Sequence, residues 1–351
     1  MKRLYIVLLF LMPLSLAAQS HWQLGLSGSY AMPNNFNMME YARASVGFDA
    51  TWYSRQTGSD YWRLRKHYPA FGVRGSFAFI PNAIYGHRFG VVGLVQAPLG
   101  RWVDYHLGLG FSSYTRPQCL TGDEENIFIS SILNCFIDVG FDLRLGERYA
   151  LIASLLHSSN GMLRFPNKGL NFLQFGVAVK LGNDYEQQMD WLHSRDLIDT
   201  QPAFDRTEWN IAFSPGTVMS RDTDFSGYYF CYDLAVTLQH YVSPTFAFGG
   251  TVDLWYNFCD TRHLEREEGV YNVPLYVSAM AMMEFFWGPL SVKAGAGPVI
   301  VASPQVTTPF YERAGAYYNF GHNFIGVAVN AHGGRVEFIE WTFGRRFPAG
   351  G

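Results

Sequence analysis

Charge is scarce in this chain. Of 351 residues, 16% are charged, against roughly 25% in ordinary soluble domains. Net charge is -3, so nothing points to nucleic acid or to a polybasic membrane anchor. Cysteine is limited to Cys119, Cys135, Cys231 and Cys259, with no C-x-x-C. There is no metal-ligand spacing such as H-x-x-x-H and no glycine-rich phosphate loop, so no cofactor is expected. After the first 20 residues no apolar run approaches the length of about 20 that a transmembrane helix needs.

What is present is an export signal, many aromatics and much glycine. The start, MKRLYIVLLFLMPLSLAAQS, has a positive pair (Lys2, Arg3), an apolar run from Leu4 to Leu14 broken only by Pro13, and a small polar end. Ser15-Leu16-Ala17 and Ala18-Gln19-Ser20 are the candidate cleavage sites of a signal peptide over 1–20. No Cys follows the apolar run, so a lipid anchor is not expected. Export would place the four cysteines in an oxidising compartment; their pairing is not legible, and Cys135 and Cys231 fall inside predicted strands, where a single Cys usually acts as a small apolar filler. Aromatics make up 17% and glycine numbers 35. This composition fits a membrane barrel or a large secreted β-sandwich, so periodicity has to decide.

The periodicity is two. In 170–181, Leu173, Phe175, Val177, Val179 and Leu181 alternate with Phe172, Gln174, Gly176, Ala178 and Lys180. In 135–145, Cys135, Ile137, Val139, Phe141, Leu143 and Leu145 alternate with Phe136, Asp138, Gly140, Asp142 and Arg144. Segments 103–111 and 42–52 repeat the pattern. The polar set is rich in glycine, which suits a crowded small-barrel interior better than a solvated surface. The expected fold class is therefore all-β, a transmembrane antiparallel β-barrel in the outer membrane. Arg43, Arg144 and Lys180 are expected to pair inside it with Asp49, Asp104, Asp138 and Asp142.

Eight strands are predicted in 21–182, near 22–31, 41–54, 68–80, 87–97, 102–114, 131–145, 147–159 and 170–182. Turns at 98–101 and 146–147 would face the periplasm, and the longer 115–130 and 159–169 segments would be extracellular. Segment 183–206 is charged, lacks alternation and reads as a polar periplasmic linker, partly helical. A second set of about eight β-segments follows in 207–351, including 228–241, 246–256, 274–287, 290–301 and 336–347. One barrel of about sixteen strands and two smaller ones both fit, with the linker favouring a separable first half. Phe347 ends the final strand with an aromatic, as strands recognised by barrel-assembly machinery do.

One segment breaks the apolar face. Tyr149, Leu151, Ala153, Leu155, His157 and Ser159 share the lipid-type side of their strand, and Asn171 heads the same side of the next. Unpaired polar groups facing lipid cost several kcal/mol, in the range of about 2–7 for an amide or hydroxyl. A Ser beside a His, with a third polar group to orient the ring, is the arrangement for nucleophilic ester cleavage. Asn160, Gly161 or Asn167 would supply oxyanion donors. The plainer reading is a polar strand end in the headgroup zone. Cα atoms two residues apart on a strand lie about 6.6 Å apart, so direct contact between His157 and Ser159 calls for a bend, for which Asn160-Gly161 is placed. His332, His240, Glu284 and Glu340 have no partner that sequence assigns; His332 reads as a turn or lumen residue.

His157-x-Ser159-Asn160-Gly161 followed by Pro166-Asn167-x-Gly169-x-Asn171 resembles the signature of the outer-membrane lipid A 3-O-deacylases, the PagL family, which are acyloxyacyl hydrolase-like barrels. The resemblance covers roughly 21–182 and is strong only in 157–171. It implies an eight-stranded barrel with a signal peptide that hydrolyses an acyl ester of lipid A with a Ser–His–Glu triad on its outer face. By that resemblance His157 is the general base, Ser159 the nucleophile and Asn167 part of the oxyanion site, and the partner is lipopolysaccharide in the outer leaflet. The family's acid is Glu; this chain has Asn171 there. Asp123, Glu124 or Glu125 in the preceding loop would be the nearest acids to compensate, although a solvated acidic loop is the simpler account of them. The rival expectation is a non-catalytic barrel, either a pore or a lipid-binding pseudoenzyme.

Overall fold

The computed structural model describes residues 18–33, 40–56, 69–100, 102–161, 163–182, 206–220, 227–259, 275–301, 310–332 and 335–349. The expected signal peptide lies outside them up to residue 17, as does nearly all of the expected linker.

Two closed antiparallel barrels of eight strands each make up the described chain. The first contains β1 (Ala18–Pro33), β2 (Arg43–Gln56), β3 (Ala70–Phe79), β4 (Arg88–Pro98), β5 (Val103–Tyr114), β6 (Asn134–Leu145), β7 (Tyr149–Ser159) and β8 (Leu170–Leu181). The second contains β9 (Arg206–Met219), β10 (Tyr228–Ser243), β11 (Phe246–Asn257), β12 (Leu275–Trp287), β13 (Leu290–Val301), β14 (Phe310–Phe320), β15 (Asn323–His332) and β16 (Arg335–Pro348). Each strand pairs with its neighbour in sequence. Closure comes from β1 on β8, with Trp22 opposite Leu181 and Pro33 opposite Leu170, and from β16 on β9. The single sheet of about sixteen strands is thus excluded. Closure leaves no open edge, the condition for a sheet in a bilayer.

Strand positions follow the alternation closely. β6 starts three residues later than expected because Ser131 turns the chain. Its hydroxyl donates to the Leu133 carbonyl (3.0 Å) and also bonds Asn134 Oδ1 (3.0 Å). In most strands, as in β6, β7 and β10, one side-chain parity is buried and the other more exposed, while β4 is buried on both from Leu94 to Pro98. The outward set is apolar, as in Leu151, Leu155, Leu173, Phe175 and Val177 of the first barrel and Ile211, Phe213, Leu234 and Val252 of the second. Apolar surface this continuous is a lipid-facing band.

The first lumen is filled in tiers. At the end that bears the site, Tyr85, Tyr114, Phe128, Phe136 and Phe172 form one apolar cluster. The Arg88 guanidinium lies 4.5 Å and 4.6 Å from the centres of the Phe136 and Phe172 rings, a cation–π sandwich. Below it Arg74 donates to Asp138, and His106 Nε2 lies 3.1 Å from both Asp138 Oδ1 and Ser154 Oγ. Gln174 donates to Asp49 (3.1 Å), and Arg144 pairs with Asp104 through two bonds. The expected Arg144 pairing is present, but Arg43 does not enter the lumen. It sits at the strand's start and donates to the carbonyls of Glu40 and Ala42. Arg74, which the alternation left unassigned, takes the central place.

The second lumen is also filled. Trp255 stacks on Tyr276 at 3.7 Å, with Tyr311, His332 and Phe338 around them. Arg313 meets Asp233 (2.7 Å), Asp253 (3.4 Å) and Glu340. Glu284 takes Lys293, Arg346, Gln239 and Ser291. Glu284 and Glu340 therefore have partners, His240 Nδ1 lies 3.2 Å from Thr207 Oγ1, and His332 faces the lumen with Glu337 at 3.1 Å. All four cysteines are free thiols.

Candidate active site

The site is built by the β7–β8 hairpin. Antiparallel pairing places His157 directly opposite Asn171, and both belong to the outward parity. On the other side β6 sets Cys135 opposite Ser159 and Ile137 opposite His157, and β1 sets Met32 opposite Asn171. The three polar residues are half-buried and sit at the head of an exposed apolar track that includes Leu155, Leu173 and Val139.

The side chains form one hydrogen-bonded chain. His157 Nδ1 and Asn171 Oδ1 are 2.8 Å apart, and His157 Nε2 and Ser159 Oγ 3.0 Å. With the Asn171 carbonyl oxygen as acceptor, Nδ1 carries the ring proton. Nε2 then accepts from the serine hydroxyl, the tautomer a general base needs. No bend is required first. Ser159 is still the last residue of β7, and same-face side chains leaning along the strand bridge the gap. The turn follows, with Gly161 at a φ of 60°.

The supporting residues divide. Asn160 is buried, and its side-chain amide points inward to donate to Ser130 Oγ (2.8 Å). Its backbone N–H donates to Asn167 Oδ1 (3.2 Å). Of the three residues expected to offer oxyanion donors, Asn160 thus uses its backbone N–H and one side-chain N–H within the protein. Asn167, by contrast, has its oxygen turned to Asn160, which directs its NH2 end elsewhere. Gly169, at a φ of 67°, packs on the pair: a Cβ there would stand 3.2 Å from His157 Cε1 and 3.2 Å from Ser159 Cβ. Asp123 bonds the Glu125 N–H and lies 3.9 Å from Arg116, so the loop acids do not stand in for Asn171 on the ring.

Sequence reasoning missed Cys135, Met32 and Ser130. The first follows from the tight β6–β7 turn, which fixes the register and so the residue opposite Ser159. Ser130 has no local signal, because it reaches the site across a loop. Among the described residues there is no group of His, Cys, Asp and Glu suited to a metal ion.

Residues 207–349 match a family described as "Acyloxyacyl hydrolase, C-terminal domain" (PagL_C). This match falls on the second barrel, whereas the motif resemblance sits in the first. No curated protein matches the chain. Among solved structures, the outer membrane enzyme PagL is similar at 12% identity and a TM-score of 0.32, over 45% of this chain and 98% of that one. OccK5 (OpdH) of Pseudomonas aeruginosa is similar at 11% identity and a TM-score of 0.25, over 95% of this chain and 99% of that one. OccAB4 of Acinetobacter baumannii is similar at 9% identity and a TM-score of 0.27, over 96% and 99%. These likenesses are weak, and the fold stands on its own strand pairing.

Proposed function

Taking the chain as a PagL-like outer-membrane β-barrel protein, we propose that it is a serine esterase that removes an ester-linked acyl chain from lipid A. The observation that carries the reading is the Ser159–His157–Asn171 hydrogen-bonded chain on the lipid-facing side of a barrel. Ser159 Oγ attacks the ester carbonyl while His157 Nε2 takes its proton. Asn167 Nδ2 donates to the oxyanion that forms. As the intermediate collapses, the imidazolium returns the proton to the departing sugar oxygen, leaving an acyl-serine. Water, deprotonated by the same Nε2, then releases the fatty acid and restores Ser159. No cofactor enters these steps.

Asn171 holds the productive tautomer but has no charge to offset the imidazolium, so turnover is slower than with a carboxylate in its place. The apolar track below Ser159 suits an acyl chain arriving within the leaflet. The pore reading has less support, since both lumens are packed with side chains among the described residues. The pseudoenzyme reading differs only in outcome.

The test is mass spectrometry of lipid A from cells producing the protein, Ser159→Ala and Asn171→Glu. Loss of one hydroxyacyl chain that Ser159→Ala abolishes, with a faster loss in Asn171→Glu, is the expected result. Unchanged lipid A in all three, with folded protein in the membrane, would move the assignment to a lipid-binding barrel.

A further inference from the structure

We propose that Ser130, on the β5–β6 loop and outside every motif noted above, is a positioning residue for the oxyanion side of the site, acting through Asn160 on Asn167. The inference rests on the esterase reading.

A side-chain amide has two nearly isosteric ends of opposite polarity. If Asn167 turned over, it would present an oxygen lone pair where an oxyanion develops, and attraction would become repulsion. Among the described residues its orientation is held by the bond from the Asn160 N–H to Asn167 Oδ1 (3.2 Å). The direction of that N–H depends on how residue 160 sits, and residue 160 is tethered by its side chain to Ser130 Oγ (2.8 Å). Ser130 and Asn160 are both buried, at 0% and 3% exposure, so water cannot replace the bond if the hydroxyl is removed.

The anchor is firm. The Ser130 carbonyl accepts from the Cys119 N–H (3.1 Å), and the Ile129 carbonyl from the Gln118 N–H (2.9 Å), at the start of the short helix α1 (Gln118–Thr121). The Asn126 side chain takes the Ile129 N–H and donates to the Arg116 carbonyl. Phe128 and Ile129 are fully buried in the apolar cluster. The same stretch holds the far end of the β7–β8 loop, through Lys168 N–H to the Ile127 carbonyl (3.0 Å) and Gly169 N–H to that of Phe128 (3.2 Å). Deleting the Ser130 hydroxyl leaves these backbone bonds intact and releases the Asn160 tether. Its effect therefore falls on Asn167 rather than on the loop as a whole.

The test uses the full-length protein in detergent with a fluorophosphonate probe. Ser159 Oγ bonds phosphorus, fluoride leaves, the serine proton passes to His157, and the phosphoryl oxygen occupies the oxyanion position. Wild type, Ser159→Ala, Ser130→Ala, Ser130→Thr, Asn167→Ala and the Ser130→Ala/Asn167→Ala double variant are compared, each checked for heat-modifiable migration. Ser130→Ala is expected to label about tenfold slower, the lower part of the range for an unsatisfied buried donor, and Asn167→Ala about a hundredfold slower. Ser130→Thr restores labelling, and the double variant is no slower than Asn167→Ala, because the two act in series. On a chromogenic acyl ester, Ser130→Ala lowers kcat and leaves KM within about twofold, as for a group acting only in the transition state. A Ser130→Ala variant that labels like wild type, or a double variant that multiplies the two losses, overturns the positioning role and leaves the esterase standing. Wild type that labels no faster than Ser159→Ala overturns the esterase reading and the positioning role with it.

Discussion

The two barrels share strand number and closure but are charged differently inside. Among the described residues, the first lumen buries five cations, Arg55, Arg74, Arg88, Arg144 and Lys180, against four carboxylates, Asp49, Asp104, Asp138 and Asp142. The second buries three cations, Lys293, Arg313 and Arg346, against five carboxylates, Glu208, Asp233, Asp253, Glu284 and Glu340. They also differ outside: the first carries a histidine, a serine and an asparagine bonded together on its apolar face, whereas the second carries His240 there beside Thr207 Oγ1 (3.2 Å) and turns His332 inward. A β-barrel of eight strands is thus a frame that leaves two independent choices. One is how the lumen is charged, and the other is which side chains three outward positions on one hairpin carry.

The sharpest way to break this contrast is to remove the reactive group from each side. Ser159→Ala is expected to reduce acyl release by at least about a thousandfold, and His332→Ala to leave it within about twofold, since His332 is buried in the second barrel against Trp255 and Tyr311. Release of labelled fatty acid from lipid A in mixed micelles measures both. Equal losses in the two variants would show that the second barrel takes part.

The lumens separate next. Asp138→Ala strips the carboxylate from Arg74 and His106 in a buried tier and is expected to destabilise by about 3–5 kcal/mol. Asp253→Asn removes one of three carboxylates around Arg313, which keeps Asp233 at 2.7 Å and Glu340. Less crowding of like charge should hold its effect under about 1 kcal/mol, or make it stabilising. Urea unfolding followed by heat-modifiable migration compares the two, and a larger loss for Asp253→Asn would contradict the charge reading.

The smallest effect sharpens the site itself. Gly169→Ala puts a Cβ 3.2 Å from both His157 Cε1 and Ser159 Cβ in a left-handed conformation that costs about 1–2 kcal/mol for other residues. About a tenfold loss of acyl release is expected, together with a loss of about 1–2 kcal/mol in unfolding. Full activity would mean that the pair tolerates displacement.

Much of this arrangement was legible because its cause is local. Period-two alternation located β4, β7 and β8 to within two residues and put His157, Ser159 and Asn171 on one face, since the parity of a strand is a property of its own residues. Hairpin register then made His157 and Asn171 neighbours. What escaped depends on chain ends meeting across the barrel. The alternation left one barrel and two both open, with the linker favouring two, and the decision comes from β1 meeting β8, which no local pattern encodes. Arg74 with Asp138 joins residues on β3 and β6, strands that do not pair. Ser130 reaches Asn160 through a loop whose path is set by Phe128 and Ile129 entering the barrel mouth. The inward turn of Asn160 is part of that same path.

The outward placement of Ser159 on a barrel with a packed lumen has a kinetic consequence. For the proposed esterase, a substrate embedded in lipid reaches Ser159 by diffusing in the plane of the membrane, so that encounter is a two-dimensional search. The quantity that drives the rate is then the mole fraction of substrate in the surface, and bulk concentration is irrelevant once the substrate is embedded. Diluting the surface with inert lipid slows such an enzyme even when the amounts of protein and substrate per millilitre stay the same.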